Sequence, residues 1–305
     1  MRPNFNLMLT AIAPVIWGST YYVTTEFLPA DYPITVAMLR ALPAGLLLLL
    51  IVRQLPSVAM LPKVVVLGAL NFAVFWWLLF ESAYRLPGGV AATLGAIQPL
   101  IVIVLSRIWL GNRITTLAIL GALLGLLGIG ILLFTPSETF SHMGIAAALA
   151  SAFSMAAGTV LSRRWQSDIS ALTFTSWQLI SGGLLLLPAA LLLEPSLPSL
   201  TPKNLTGFIY LGTFGAAISY LLWFRGLQKL TTSTVSTLGF LSPVMAVLIG
   251  WGLLQQSLSG LQAFAIFIVL FSIWIGQKNN KAQNASPIKR RALNSLKIIQ
   301  PSPKS

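Results

Sequence analysis

The strongest constraint on the fold of this chain is an internal repeat. Residues 67–105 align without a gap on residues 211–249, which lie 144 positions later, and ten of the 39 aligned pairs are identical. The most similar block is Thr-Leu-Gly-x-x-x-Pro, which begins at Thr93 and again at Thr237. Both copies consist of long hydrophobic stretches, and duplicated helical membrane units commonly build a binding site between their halves. The repeat therefore makes transport the first functional hypothesis.

The composition is that of a membrane protein. Apolar residues make up 56% of the chain and charged residues 8%, and the mean hydropathy is +0.85, values far from those of soluble globular proteins. The chain has no cysteine and one histidine, His142. Disulfides, thiol catalysis and metal sites built from several Cys or His ligands are therefore excluded, and we predict no cofactor.

Hydropathy predicts ten membrane spans, because each span needs about 20 apolar residues. They cover residues 7–28, 34–52, 64–84, 89–109, 114–134, 143–161, 171–193, 205–227, 232–254 and 260–276. Each half has five spans, an odd number, so the two halves are expected in opposite orientations. We predict an all-α membrane protein made of two inverted five-helix repeats, residues 7–134 and 143–276. A disordered basic tail, residues 277–305, is predicted to follow them.

The basic residues predict the orientation in the membrane. If both termini are cytoplasmic, sixteen Lys and Arg residues lie on the inner side, and only Arg85 and Lys203 lie outside. This asymmetry follows the positive-inside rule. The net charge of +13 therefore reports topology, and no folded basic surface is expected that would bind nucleic acid.

Several of these motifs carry a family resemblance. The residues Trp17-Gly18-Ser19-Thr20, the run from Arg40 to Gly45 and the repeated Thr-Leu-Gly-x-x-x-Pro block resemble the EamA family of the drug/metabolite transporter superfamily. The resemblance covers nearly all of residues 7–276, and the first half is especially similar to PecM-like exporters. It implies ten helices in two EamA repeats, and export of amino acids or small metabolites across the bacterial inner membrane.

Helical periodicity suggests which side chains line a substrate path, since residues three, four and seven apart share one side of a helix. In the first span, Trp17, Thr20 and Tyr21 belong to one such face. Aromatic side chains are also dense in the third and eighth spans, and amides occur in the third and seventh. Packing between helices or against lipid is the alternative role for all of these residues. The further candidates for substrate binding are Asn71, Trp76, Trp77, Gln178, Tyr220 and Trp223.

Two prolines occupy equivalent positions in the repeats. Pro99 and Pro243 each remove a helix hydrogen bond in the middle of a predicted span. Matched interruptions of this kind mark the binding position in inverted-repeat transporters, although a purely structural kink is the alternative. We therefore add their neighbours Gln98 and Ser242 to the predicted binding residues.

Arg40 is the one basic residue predicted well inside a span rather than at its end, about 9 Å below the outer end of the second helix. A central Arg costs at least about 3 kcal/mol on insertion scales, so we predict that it pairs with Glu81, the nearest acid by depth. Snorkelling of Arg40 to the outer surface is the alternative. In the paired arrangement Arg40 would hold a substrate carboxylate, and Glu81 would take up a proton that couples transport to a gradient.

The sequence thus predicts a secondary transporter that exports amino acids or small metabolites by alternating access. A broader efflux carrier for toxic metabolites, pigments or drugs is the alternative, followed by an uncoupled facilitator or a membrane protein without transport activity. An enzyme is not expected, because one His, no Cys and six mostly superficial acids supply neither an activated nucleophile nor a metal cluster. The expected partners are a small-molecule substrate and the lipid bilayer, while the residues do not predict an oligomeric state.

Overall fold

The computed structural model describes residues 3–29, 32–85, 94–133, 141–166, 169–253 and 259–275, and every regular element within them is a helix. The first half contains α1 (Pro3–Phe27), α2 (Pro33–Val52), α3 (Leu61–Gly68), α4 (Val74–Arg85), α5 (Gln98–Leu110) and α6 (Thr116–Leu133). The second half contains α7 (His142–Trp165), α8 (Ala171–Leu193), α9 (Pro202–Gly212), α10 (Ser219–Lys229), α11 (Thr232–Leu238) and α12 (Leu241–Leu253). The last described helix is α13 (Gly260–Ile275). The predicted tail lies outside the described residues.

The helices have the length and surface of membrane spans. In the described part of the chain, seven helical stretches are long and apolar enough to cross a membrane, and three shorter apolar helices accompany them. Many large apolar side chains on the outside of the bundle are exposed, among them Leu50, Leu192 and Phe267. Such a surface is an aggregation hazard in water, whereas lipid tails solvate it.

Two of the long helices contain a π-helical segment at the same place in the repeat. Ala69–Ala73 joins α3 to α4, and Thr213–Ile218 joins α9 to α10. Adding the repeat spacing of 144 to the first segment gives residues 213–217. π turns break the regular i to i−4 hydrogen-bond pattern and are frequent at functional sites. Both segments are therefore candidates for a functional role.

The two halves meet along α2 and α8, which pack against each other in antiparallel directions. A Cβ atom added to Gly45 would lie 2.7 Å from Ile180 N, and one added to Gly183 would lie 2.7 Å from Leu42 Cβ. Only glycine allows helix backbones to approach this closely. Position 45 thus meets position 180 while position 42 meets position 183, so the residue order along the two helices is opposite.

Hydrogen bonds fix both ends of this helix pair. At one end the Glu194 carboxylate accepts bonds from Ile34 N and Thr35 N, both at 2.7 Å. The carboxylate therefore caps the first turn of α2, where unpaired N–H groups and the helix dipole favour an anion. At the other end Trp177 Nε1 donates to Gln54 O at 2.7 Å. These two contacts define the Glu194 end and the Trp177 end of the bundle.

Candidate substrate cavity

A cavity of about 410 Å³ lies between the two halves of the bundle. This volume is within the range of small-molecule binding sites. Pairs of residues separated by the repeat spacing of 144 line it from both sides. These pairs are Trp76 and Tyr220, Leu79 and Trp223, Gly95 and Gly239, Ala96 and Phe240, Gln98 and Ser242, and Pro99 and Pro243. The repeat that dominates the sequence therefore builds the walls of the cavity.

Most of the residues that the sequence singled out lie on these walls. They are Trp17, Thr20, Arg40, Trp76, Gln98, Pro99, Tyr220, Trp223, Ser242 and Pro243. The wall formed by α7 was less visible in the sequence, because it consists of small or flexible side chains that serve equally well for packing. Its members are Ala148, Ser151, Ala152 and Met155.

Aromatic rings form one continuous surface of the cavity. The Trp17 ring lies 4.8 Å from the Tyr220 ring and 4.9 Å from the Trp223 ring, measured between centroids. Trp76 meets Tyr220 edge-on at 6.0 Å. Rings at these separations interact favourably and present flat apolar surface. The cluster can hold the apolar part of a ligand.

Arg40 is buried, with 5% of its surface exposed, and it lines the cavity. Its Nη2 donates to Gly215 O at 2.6 Å, and its guanidinium carbon lies 4.5 Å from the centre of the Trp76 ring. A carbonyl and an aromatic face both stabilise a guanidinium that has left water. Arg40 thus neither snorkels to the surface nor needs the acid that the sequence suggested.

The predicted Arg40–Glu81 pair is wrong. Glu81 Oε1 instead accepts a hydrogen bond from Arg85 Nε at 2.5 Å, and both side chains are partly exposed. Glu81 and Arg85 are one turn apart at the end of α4, a spacing that brings two helix side chains together. An ion pair at the surface avoids the desolvation that an interior pair requires, which explains the choice of partner. Glu81 is not among the described cavity-lining residues, although its neighbours Phe80 and Ser82 are.

Ser219 connects Trp17 to the backbone carbonyl that Arg40 binds. Trp17 Nε1 donates to Ser219 Oγ at 2.9 Å, and Ser219 Oγ donates to Gly215 O at 2.8 Å. The carbonyl belongs to the π-helical segment Thr213–Ile218, where the hydrogen-bond pattern of the helix is shifted. Ser219 was not predicted from the sequence. The equivalent residue in the first repeat is Phe75, so comparison of the two repeats does not indicate a hydroxyl group at this position.

Each of the two prolines stands just after a helix break rather than within a kinked helix. Helix α5 begins at Gln98, and α11 ends at Leu238 before α12 begins at Leu241. Pro99 and Pro243 therefore occupy first helical turns, where proline costs no hydrogen bond. Both breaks face the cavity, since Gly95, Ala96, Gly239 and Phe240 line it.

Three predicted binding residues lie away from the cavity, and a fourth has no described side chain. Asn71 Nδ2 donates to Gln178 Oε1 at 2.7 Å and to Ser162 Oγ at 3.0 Å, and all three residues are buried. Trp77 is 47% exposed on the outside of the bundle, where a lipid contact is expected. For Tyr21 the backbone belongs to α1, but its side chain is outside the described part of the structure.

Four buried polar atoms on uncharged cavity-lining residues have no hydrogen-bond partner among the described residues. They are Thr20 Oγ1, Thr24 Oγ1, Gln98 Nε2 and Trp223 Nε1. Buried polar groups without partners are rare and call for an explanation. The described lining residues include Arg40 and no carboxylate, so the site offers donors and one positive charge to a ligand. No group of three or more His, Asp or Glu side chains that could hold a metal ion occurs in the described part of the chain.

Two repeats of apolar helices around an internal cavity define a multi-pass membrane protein of the transporter class. The EamA-like transporter family matches residues 4–134 and again residues 142–275, and the chain belongs to this family. Over 267 residues it is 44% identical to Protein PecM of Dickeya dadantii, an alignment that covers 87% of this chain and 90% of that protein. It is 28% identical over 267 residues to the uncharacterized inner membrane transporter YedA of Escherichia coli K12, covering 85% and 86%. A crystal structure with a TM-score of 0.79 and 20% identity, covering 92% of this chain and 99% of that one, has the same fold.

Proposed function

We propose that the protein is a secondary transporter that exports amino acids or small metabolites across the inner membrane by alternating access. The cavity between the repeats is the observation that carries this proposal, because transporters with repeated halves bind substrate at the repeat interface. Family membership supports a transporter rather than an enzyme.

The topology we propose has ten membrane helices in two inverted five-helix repeats, residues 7–134 and 143–276, with both termini in the cytoplasm. The antiparallel packing of α2 on α8, through Gly45 against Ile180 and Gly183 against Leu42, supports opposite orientations of the halves. The excess of Lys and Arg in the predicted inner loops and in the tail 277–305 supports the orientation.

The proposed substrate is a carboxylate attached to an apolar or aromatic body. Arg40 supplies the positive charge, and the unpartnered donors on Gln98 and Trp223 supply further hydrogen bonds. The rings of Trp17, Trp76 and Tyr220 offer surface to the apolar part. The same rings also suit larger flat molecules, so a broader efflux role for toxic metabolites or pigments is the second candidate.

The test is uptake and counterflow in proteoliposomes with a pooled panel of amino acids and metabolites that includes flat aromatic compounds, with and without a pH gradient. We expect saturable flux of a carboxylate-bearing compound. Arg40→Gln should abolish this flux, whereas Arg85→Gln, which removes an Arg outside the cavity, should leave it unchanged. Equal losses in both variants, or no flux of any panel member through folded protein, would contradict the proposal.

A further inference from the structure

A second sequence correspondence between the halves lies outside the repeated segments 67–105 and 211–249. Residues 35–49 of α2 align on residues 173–187 of α8 with a spacing of 138, and six of the fifteen pairs are identical. The packing obeys the same spacing, since Leu42 corresponds to Ile180 and Gly45 to Gly183, the residues that form the two close contacts between α2 and α8. In this correspondence Arg40 is equivalent to Gln178.

The partners of these two residues are equivalent as well. Arg40 binds Gly215 O, and Gln178 binds the Asn71 side chain. Gly215 and Asn71 are separated by the repeat spacing of 144, and each lies within the π-helical segment of its own half. The molecule therefore makes one contact twice, each time from a long polar side chain on α2 or α8 to the π-helical segment of the opposite half.

The two contacts lie at different depths and in different surroundings. Arg40 is seven residues from the start of α2 at Pro33, and Gln178 is seven residues from the start of α8 at Ala171. Because these helices are antiparallel, Arg40 lies toward the Glu194 end and Gln178 toward the Trp177 end. Arg40 lines the cavity, but neither Gln178 nor Asn71 is among its described lining residues. Buried rings cover the cavity on the Gln178 side, with Tyr220, Phe224 and Phe174 in succession at 5.9 and 5.7 Å.

From this asymmetry we infer that the Asn71–Gln178 hydrogen bond is a latch that closes the Trp177 end of the cavity and opens during the transport cycle. The inference rests on the proposed alternating-access function. In the other state the contacts exchange roles, so that the cavity extends past Asn71 and Gln178 and closes around Arg40.

The polar groups around the latch are those of a contact that can open. Asn71 Oδ1 and Thr159 Oγ1 are buried and have no hydrogen-bond partner in the described part of the chain. A fully satisfied buried network would rigidify this region, whereas a partly satisfied one stabilises the closed arrangement less. Thr159 lies one turn before Ser162 on α7, the residue that accepts the second bond from Asn71. A cavity that opened here would reach Thr159.

Because the natural chain contains no cysteine, single introduced cysteines can report access at each end. Thr159→Cys reports the latch side, and Thr24→Cys reports the cavity on the side of the Glu194 end. The cysteines are labelled with a membrane-impermeant maleimide in lipid nanodiscs, which leave both faces of the membrane accessible to the reagent. The test therefore needs neither a known orientation nor a substrate. Gln178→Met and Asn71→Leu remove the latch bond at similar side-chain size. Ser176→Ala is the matched control. Ser176 lies on α8, the helix that carries Gln178, and the change removes the buried hydrogen bond that Ser176 Oγ donates to Gly45 O on α2.

We expect Gln178→Met to speed labelling at position 159 about tenfold, the effect of one buried hydrogen bond on a two-state equilibrium. Asn71→Leu also removes the bond to Ser162, so it should speed this labelling at least as much. Labelling at position 24 should slow in the same variants, and Ser176→Ala should change neither rate. The inference is wrong if both positions become faster together, which indicates general loosening, or if neither rate changes. Two latch variants are used so that one that does not fold can be replaced by the other. The labelling test involves no substrate. Faster labelling at position 159 with slower labelling at position 24 would therefore support the latch, and a lack of measurable substrate flux in the same protein would count against the proposed transport function alone.

Discussion

Neighbouring residues of this protein have very different environments, and Trp76 and Trp77 show this best. Trp76 is buried, lines the cavity and stacks on Arg40, whereas Trp77 is half exposed on the outside of the bundle. We predict that Trp76→Ala raises the KM of the transported substrate about tenfold, because it removes both ring contact and support for the guanidinium. Trp77→Ala should leave KM unchanged. The comparison is made by flux measurements in proteoliposomes, and equal effects of the two changes would argue against the assigned binding surface.

Glu81 provides a second prediction at this scale. The coupling role predicted for Glu81 assumed a pair with Arg40, which the structure does not contain, but it can be tested independently of that pair. Glu81 lies between the cavity-lining residues Phe80 and Ser82, although its carboxylate pairs with Arg85. Glu81→Gln should keep substrate exchange and lose the acceleration by a pH gradient, because an amide cannot take up the proton. Arg85→Gln breaks the same ion pair but keeps the carboxylate, so it should keep the acceleration. Unchanged gradient dependence in Glu81→Gln would rule out its coupling role.

At the scale of helices, the contacts between α2 and α8 determine stability. Glu194 bonds two N–H groups in the first turn of α2, so we predict that Glu194→Ala costs about 1 to 2 kcal/mol, as expected for loss of a helix cap and its charge–dipole interaction. The measurement is thermal unfolding in detergent. Glu26→Ala is the control, because Glu26 is exposed near the end of α1, where the helix dipole does not favour an acid. A Glu26→Ala variant that melts as early as Glu194→Ala would contradict this account of the cap.

The same helices show how much of an element can be predicted. Hydropathy predicts the seven helical stretches that are long and apolar enough to cross a membrane, because length and apolar content can be read along the chain. The prolines indicated the breaks before α5 and α12, but not that each break lies ahead of its proline. The π-helical segments had no signal at all, because a π turn is stabilised by contacts such as Arg40 to Gly215 that come from the other half of the chain.

At the scale of the whole molecule, the two halves depend on each other for polar partners. Arg40 in the first half binds Gly215 in the second, and Asn71 binds Gln178 across the same boundary. A first half expressed alone would leave a buried Arg without this partner, at a cost of about 3 kcal/mol in the membrane. We predict that residues 1–138 and 139–305 expressed separately are present at low levels in the membrane, and that co-expression restores both. Equal levels with and without the partner fragment would show that each half is stable alone.

The sequence by itself determined the membrane character of the chain, its duplication and its family, because these depend on hydropathy and residue identity, which are local properties of the chain. Ten of the candidate residues named from the sequence lie on the cavity wall, since repeated positions such as Gln98 and Ser242 meet where two similar halves meet. The tertiary structure alone decided which polar groups are partners. Glu81 pairs with Arg85 and not with Arg40, and Asn71 binds Gln178 rather than lining the cavity, because partner choice depends on depth and on which helix faces pack together.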